Sequence, residues 1–273
     1  IFENIFKGTT GKGEYISQSL TWDATASGSD LVMTRKNYND FAGGLWFEDF
    51  ASALNDKYAA TAGEGRKIYD KINYITDEYS FRDAMASLAG NVYANMNQRE
   101  NDIARSFENS MAFMQNSENN TKENVKINII AGKGKNKEIT DGVTGYDYTT
   151  AGVLALREVE RTYKHTFGYS LGYLHTGFDI NDGHDSEDKA DTIQLGAHNK
   201  YESNGWKLKN DLTGRVSFHN TDRNIDWQNN GRSTMDASYE AYSITSDNIL
   251  GKEMNITKNT SITPYGAFKA MYV

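Results

Sequence analysis

The chain between residues 163 and 218 alternates between bulky apolar residues and small or polar residues. The clearest run contains, at every second position, Phe167, Tyr169, Leu171 and Tyr173. A sustained period of two predicts long β-strands with one apolar face, because successive side chains of a strand point to opposite sides of its sheet.

Seven strands of this kind are predicted, at residues 125–135, 146–158, 163–178, 189–202, 206–220, 235–249 and 260–273. Most exceed the five or six residues of an average soluble strand, and they suit the roughly 9–11 residues that a tilted transmembrane strand needs. In the sixth strand, Tyr239, Tyr242 and Ile244 do not keep one phase, and a β-bulge is expected there.

The connections between these strands alternate in length. Residues 159–162 and 203–205 form short turns, whereas 136–145, 179–188 and 221–234 form long polar loops, and 251–259 is longer than the pattern prefers. Short turns at one end and long loops at the other are typical of outer-membrane barrels. Two aromatic girdles are expected at the ends of such a barrel, formed by Tyr163, Tyr201 and Trp206 and by Phe178, Phe218 and Trp227.

From residue 45 to about residue 115 the period changes, and apolar residues recur at intervals of three and four, which predicts amphipathic helices; residues 116–124 form a polar linker. Gly63 and Gly65 separate the first two helices, and Asp77 or Ser80 can cap a later one. Residues 97–110 are mostly polar. They form either the solvated face of a helical bundle or a helix inside a polar lumen.

Residues 1–40 are predicted to be extended. Two strand-like runs, 14–23 and 30–36, are joined by a small-residue turn at 24–29 that contains Gly28. This segment is either a hairpin that packs on another element or the end of a larger β domain.

Composition narrows the class of protein. Only 38% of the residues are apolar and the mean hydropathy is −0.70, which is low for a soluble core of 273 residues but suits a polar interior. A net charge of −8 argues against nucleic acid as a partner, and the absence of Cys excludes a disulfide framework or a thiolate metal site. No apolar run reaches the length of a membrane helix. The chain starts at Ile1, and we expect a targeting sequence upstream.

No catalytic, cofactor-binding or metal-binding constellation is predicted. The five His residues are scattered, and the acidic loop 179–188 lacks the spacing of a calcium-binding loop. The polar phase of the strands is the informative set. It faces either bulk solvent or a hydrated lumen, and its predicted lumen-lining members are Lys207, Lys209, Asp211, Arg215, His219, Gln194 and His198.

Several stretches carry a resemblance to a known family, namely residues 81–96 (FRDAMASLAGNVYANM), 145–152 (GYDYTTAG), 167–180 (FGYSLGYLHTGFDI), 189–201 (KADTIQLGAHNKY) and 263–270 (TPYGAFKA). Their glycine and aromatic positions make residues 80–273 similar to the translocator end of an autotransporter, a type V secretion protein. The resemblance implies an antiparallel transmembrane β-barrel of twelve strands, of which about seven are present, with a helix in its lumen. Residues 101–118 are the candidate helix.

The resemblance also implies the organisation and the partners of the chain. Residues 1–43 would be the end of a passenger, 44–124 a helical linker and 125–273 a partial barrel. The implied module sits in the outer membrane and helps to export its own passenger to the cell surface, where the passenger would act, for example in adhesion and virulence. Its implied partners are the lipid bilayer, the passenger, the barrel-assembly machinery and periplasmic chaperones, and it is not an enzyme.

Two departures from the family pattern carry their own expectations. The chain lacks the usual terminal aromatic residue after Val273, and it is expected to be truncated. Some family members cut their passenger between paired asparagines, and Asn119 and Asn120 form such a pair in a linker of an Asn-rich chain. The sequence does not decide whether the passenger is cleaved at this pair.

Two other interpretations are retained. The chain could be an outer-membrane pore or adhesin barrel whose helices form a periplasmic domain, and crosslinking of the polar helix to Lys209 or Arg215 would argue against that. It could also be a soluble β-rich binding protein, which detergent-free solubility as a monomer would favour.

Overall fold

The computed structural model describes Glu3 and residues 18–138, 140–258 and 260–273. Within them the chain is mainly β, with five α-helices between a small N-terminal hairpin and a seven-stranded antiparallel sheet. The helices are α1 (Asn39–Ala42), α2 (Glu48–Lys57), α3 (Glu64–Asn73), α4 (Glu78–Ala89) and α5 (Met96–Asn116), with a 3-10 turn at Asn91–Tyr93. In the described part of the chain, no helix is both long and apolar enough to cross a membrane.

The N-terminal hairpin consists of β1 (Trp22–Ser27) and β2 (Asp30–Arg35). Its turn is shorter than predicted, because residues 24–27 pair with β2 and only two residues connect the strands. Gly28 has a positive φ of 65°, a conformation that glycine adopts at little steric cost. The predicted start of the first strand, residues 14–17, lies outside the described residues.

The helix boundaries follow local capping chemistry. Gly63 precedes α3 with a φ of 62°, and the Asp77 side chain accepts a hydrogen bond from the backbone N–H of Ser80 at 2.8 Å, which confirms Asp77 as the cap of α4. Gly65 lies inside α3 and does not break it. The polar helix α5 covers Met96–Asn116, so it begins and ends earlier than the predicted residues 101–118.

The large sheet contains β3 (Glu123–Asn136), β4 (Tyr146–Thr162), β5 (His165–Ile180), β6 (Glu187–Ser203), β7 (Trp206–Asp226), β8 (Arg232–Lys252) and β11 (Tyr265–Tyr272). Within β3 to β8 each strand pairs with the next along the chain, and β8 also pairs with β11. The prediction of seven long strands is confirmed, although β7 and β8 reach 21 residues each and extend beyond the apolar alternation.

Two details of the predicted strands are wrong. The last one divides into β10 (Thr260–Ile262), which pairs with β9 (Met254–Thr257), and β11; Pro264, which cannot donate to a ladder, lies between them. The register between β7 and β8 runs without a shift, so the expected bulge is not there. Tyr239 instead faces α5, where its ring stacks on His219 with centroids 4.5 Å apart.

The two faces of the sheet differ in polarity. The outward face exposes apolar side chains such as Leu171, Leu195 and Tyr242, which are about half or more exposed, whereas the face toward α5 is mostly buried and largely polar. We expected Phe178 and Trp227 in an outward girdle, and this is wrong. Phe178 has the parity of the helix-facing residues, and Trp227 is buried among the helices.

Apolar packing forms two separate clusters. One joins α1–α4 to Ile225 and Trp227, and its buried members include Tyr38, Ile72 and Phe81. The other lies between α5 and the first strands of the sheet. We call residues 38–93 the helical cap, and we distinguish the long-loop end of the sheet (loops 137–145, 181–186 and 227–231) from its short-turn end.

Candidate functional site

Helix α5 runs along the inner face of the sheet from its long-loop end to its short-turn end. Arg99, in its first turn, contacts Asp188 at the start of β6, beside a long loop. Gln115, in its last turn, donates to Asp211 and lies next to Lys200, near the turn that joins β6 to β7. The helix therefore spans the sheet between its two ends.

The beginning of α5 is held by a buried charge cluster, the upper clamp, which consists of Arg99, Glu100, Asp188 and His219. The Arg99 guanidinium lies 2.9 Å from the Asp188 carboxylate, and His219 lies 2.9 Å from Asp188 and 2.8 Å from Glu100. All four side chains are almost fully buried. Two charged groups of the helix are thereby matched to a carboxylate and an imidazole of the sheet.

Hydrogen bonds complete the upper clamp. The Ser217 hydroxyl donates to Glu100 at 3.0 Å and the Thr221 hydroxyl donates to Asp188 at 3.0 Å, while Arg99 also donates to Asn95 Oδ1 and to the Val92 carbonyl. Desolvated charges are tolerated only when their remaining hydrogen-bonding positions are filled. Removing one partner from such a cluster costs about 3–5 kcal/mol, because a buried charge is left alone.

The end of α5 is held by the lower clamp, which consists of Glu158, Lys126 and Lys200. Glu158 lies 2.9 Å from Lys126 and 2.6 Å from Lys200. The same two ammonium groups donate to backbone carbonyls, Lys126 to Met114 and Ser117 at 2.8 Å and Lys200 to Gln115 at 2.7 Å. The last carbonyls of a helix have no partner inside it and carry a partial negative charge, so cations here satisfy both needs.

Between the clamps, α5 approaches β4 and β5 closely. A Cβ at Gly172 would lie 2.6 Å from Phe107 Cε1 and 2.8 Å from Leu154 Cδ1, so the absence of a side chain lets the helix sit against the sheet. Ser110 accepts a hydrogen bond from Asn128 at 2.8 Å. The interior is therefore apolar on the side of β3–β5 and charged toward β6 and β7, a mixture that the predicted polar lumen did not include.

The structure buries four of the seven predicted lumen-lining residues on the helix-facing side, namely Gln194, His198, Arg215 and His219. Of these, His219 contacts α5 directly. Arg215 donates to Gln194 at 3.0 Å, to Ser243 at 3.1 Å and to Thr245. His198 lies 2.9 Å from Asp211, and Lys209 lies 3.4 Å from the same carboxylate.

Lys207 is the most exposed member of the set. Its side chain is 44% exposed and pairs with Glu253 at 2.9 Å, at the rim of the short-turn end. It shares the parity of Lys209 and Asp211 but lies past the last turn of α5. The alternation of residues along β7 therefore identifies the face on which Lys207 lies, but it does not show how close the residue is to the end of the sheet.

Most clamp residues were not predicted from the sequence. Asp188 and Lys200 share the parity of Gln194 and His198, and extending that phase to both ends of the strand would have found them. Glu158 likewise lies in the helix-facing phase of β4, together with the buried Leu154 and Leu156. Arg99 and Glu100 belong to a run of polar helix residues in which nothing local separates them from their neighbours.

The Asn119–Asn120 pair lies after the end of α5, outside both clamps. The two residues are exposed, and the Asn120 backbone N–H donates to Asn124 Oδ1 at 3.2 Å. Among the described residues, no group of three or more His, Asp or Glu side chains is arranged to hold a metal ion.

The fold is thus a long-stranded antiparallel sheet that holds a helix on one of its faces. Residues 125–273, more than half of the chain, match the model of the family described as Autotransporter beta-domain. The chain belongs to this family, which confirms the resemblance inferred from the sequence and implies an outer-membrane translocator role. Residues 1–37 are similar to a second family, described as BigA beta sandwich domain. A search of curated proteins found no match.

Proposed function

We propose that this chain is a non-enzymatic translocator module that anchors its own passenger at the cell surface. Strands β3–β8 and β11 cross the outer membrane, and α5 is the tether that joins the outside to the periplasmic end of the first strand. The observation that carries the proposal is the path of α5 from the long-loop end to the short-turn end.

The direction of the chain supports this path. Strand β3 begins opposite Val159, at the short-turn end, while the helical cap packs against Ile225 and Trp227 at the long-loop end. Long loops face outward in barrels of this type. The 21 residues of α5 rise about 31 Å at 1.5 Å per residue, which matches a hydrocarbon core of about 30 Å.

The proposed roles of the residues follow from this placement. Lys209, Asp211, Arg215, Gln194, His198 and His219 line the lumen and Lys207 its periplasmic rim, while the outward apolar face contacts lipid. Because the charges of the lumen are engaged with the helix or with each other, they serve to seat α5, and we propose no catalytic chemistry for them.

The domain boundaries and the finer biology belong to the same proposal. Residues 1–43 end a passenger, 44–124 are the helical linker and 125–273 form barrel wall. The similarity of residues 1–37 to a β-sandwich family supports a β-rich passenger. Insertion would require periplasmic chaperones and the barrel-assembly machinery, and adhesion is the activity that we expect of the surface-exposed part.

Protease treatment of intact cells tests the proposal. The full-length protein carries an epitope tag N-terminal to residue 18, and lysed cells provide the control for protease activity. We expect loss of the tag in intact cells and survival of a fragment that contains the sheet. A tag that is cut only after lysis would contradict surface exposure and would favour a barrel with a periplasmic helical domain.

Cleavage between Asn119 and Asn120 remains a hypothesis with its own test. If it occurs, the mature protein separates into two chains on denaturing electrophoresis, and the double variant Asn119→Ala/Asn120→Ala stays intact. An intact wild-type chain in the outer membrane would contradict cleavage and leave α5 as a permanent tether.

A further inference from the structure

The helical cap contacts each of the three long loops. Trp227 is 1% exposed and packs with Ile225 in the apolar cluster of the cap. Around this anchor, Lys71 donates to Ser233 at 2.7 Å, and the Thr76 backbone N–H donates to Gln228 Oε1 at 2.9 Å. The loop between β7 and β8 is thus part of the core of the cap.

The other two loops hold the cap from its remaining sides. His184, in the loop between β5 and β6, lies 2.9 Å from Asp83 on α4. In the loop between β3 and β4, a Cβ at Gly142 would lie 2.7 Å from the Trp46 ring. Contacts on three loops restrict translation and rotation of the cap, whereas a single contact would leave it free to pivot.

The N-terminal hairpin and the residues just before it also dock on the cap. Trp22 Nε1 donates to Asn73 at 2.9 Å, and the Leu20 backbone N–H donates to the Ile75 carbonyl at 2.8 Å. The Arg35 guanidinium lies over the Tyr58 ring, 4.0 Å from its centroid. Side-chain packing is therefore continuous from the hairpin through the cap to the loops of the sheet.

We propose that the helical cap is a rigid mount that fixes the direction in which the N-terminal β region leaves the membrane. Its partner is the end of that region, β1 and β2, which rests on α3 and on the segment that follows α2. The outward orientation of this mount rests on the proposed function. Its rigidity does not, because the packing is the same wherever the cap resides.

Distance measurement between two spin labels tests the mount. The described chain contains no Cys, so labels can be placed at Ser27→Cys in the hairpin and at Tyr163→Cys in an exposed short turn. The full-length protein is studied in lipid nanodiscs. We expect one narrow distance distribution in the wild type, and a broad or multimodal distribution would overturn the proposal.

Two variants test whether the contact between Trp227 and the cap is what keeps the distance distribution narrow. Trp227→Ala removes the anchor and should abolish the narrow distribution, with backbone hydrogen exchange in α3 faster by roughly a hundredfold. Tyr79→Ala, at an α4 side chain that is 81% exposed, is the matched control and should change neither readout. A Trp227→Ala protein that keeps the narrow distribution would overturn the proposal.

A milder variant covers the case in which Trp227→Ala disrupts folding of the cap altogether. Lys71→Ala combined with Gln228→Ala removes the hydrogen bonds to Ser233, Thr76 and Asp77, and neither residue belongs to an apolar cluster. We expect a measurable broadening with unchanged exchange in β5 and β6, and an unchanged distribution would again overturn the mount. Because the measurement uses purified protein, its failure is distinguishable from a failure of surface exposure in cells.

Discussion

Two helical regions of this chain differ in how much charge they bury. The buried cluster of the cap consists of apolar and aromatic side chains, including Tyr38, Ile72 and Phe81. Helix α5 buries apolar residues such as Phe107 as well, but it adds Arg99, Glu100 and Asp102 and is fixed at both ends by charges of the sheet. The cap is built around an apolar core, whereas α5 also buries charged groups that need partners on the sheet.

The difference explains why α5 needs a sheet that is polar on its inner face. Its carboxylates and guanidinium would be costly to bury against an apolar wall, because unpaired desolvated charges are strongly destabilising. The upper clamp supplies their partners, and Tyr146 supplies another by donating to Asp102 at 2.6 Å. An apolar helix of the cap, placed against the same face, would leave Asp188 and His219 of the sheet without charged partners.

The largest expected effect comes from breaking the upper clamp. Asp188→Asn removes the negative charge that faces Arg99 and His219, and we expect a loss of about 3–5 kcal/mol in the free energy of opening of α5. Hydrogen exchange of the first turns of α5 measures it. The matched control is Asp147→Asn in an exposed pair with Lys135, for which we expect at most about 1 kcal/mol. Equal effects would contradict the special status of the clamp.

A core substitution in the cap should produce the reverse pattern. Ile72→Ala leaves a cavity in the apolar cluster, and we expect a loss of about 2–5 kcal/mol in the stability of α3 and α4. Exchange of α5 should stay unchanged, since its clamps do not include the cap cluster. If both regions lose protection together, they form one cooperative unit and the comparison fails.

Breaking the lower clamp should destabilise α5 less than breaking the upper clamp. Glu158→Gln removes the charge between Lys126 and Lys200, but both ammonium groups keep their bonds to helix carbonyls. We therefore expect a loss of about 1–3 kcal/mol, confined to exchange of the last turns of α5. A loss at the first turns as well would show that the clamps act together.

The smallest effect concerns pH. Pairing with Asp83 raises the pKa of His184 in the loop between β5 and β6. A raised pKa means that the contact stabilises the folded protein fully below the unfolded value of about 6.5 and is lost as pH rises through the folded value. We expect the free energy of opening of α4, measured by backbone hydrogen exchange, to fall by at most about 1 kcal/mol over that pH range. His184→Gln should abolish the pH dependence, and an unchanged profile in that variant would contradict this assignment.

Much of the sheet could be predicted because period-two alternation is a local signal. It located the strands but misjudged Tyr239, which looks like an outward aromatic until its partner His219 is known. Trp227 failed for the same reason, since its burial depends on helices distant in sequence, whereas the parity of Phe178 within β5 already separates it from the outward residues. The clamps were harder still. Arg99 meets Asp188 across 89 positions, and no local pattern identifies such a pair.

The central claim is that α5 lies against the inner face of the sheet, and one crosslinking experiment tests it most directly. Ser110 and Asn128 are in contact at 2.8 Å, whereas Phe113 is 65% exposed on another side of the helix. The pair Ser110→Cys/Asn128→Cys is treated with a short thiol crosslinker in outer membranes of cells that make the full-length protein, and Phe113→Cys/Asn128→Cys is the control. We predict an efficient crosslink in the first pair and little in the second. No crosslink, or equal yields in both, would contradict the seated helix.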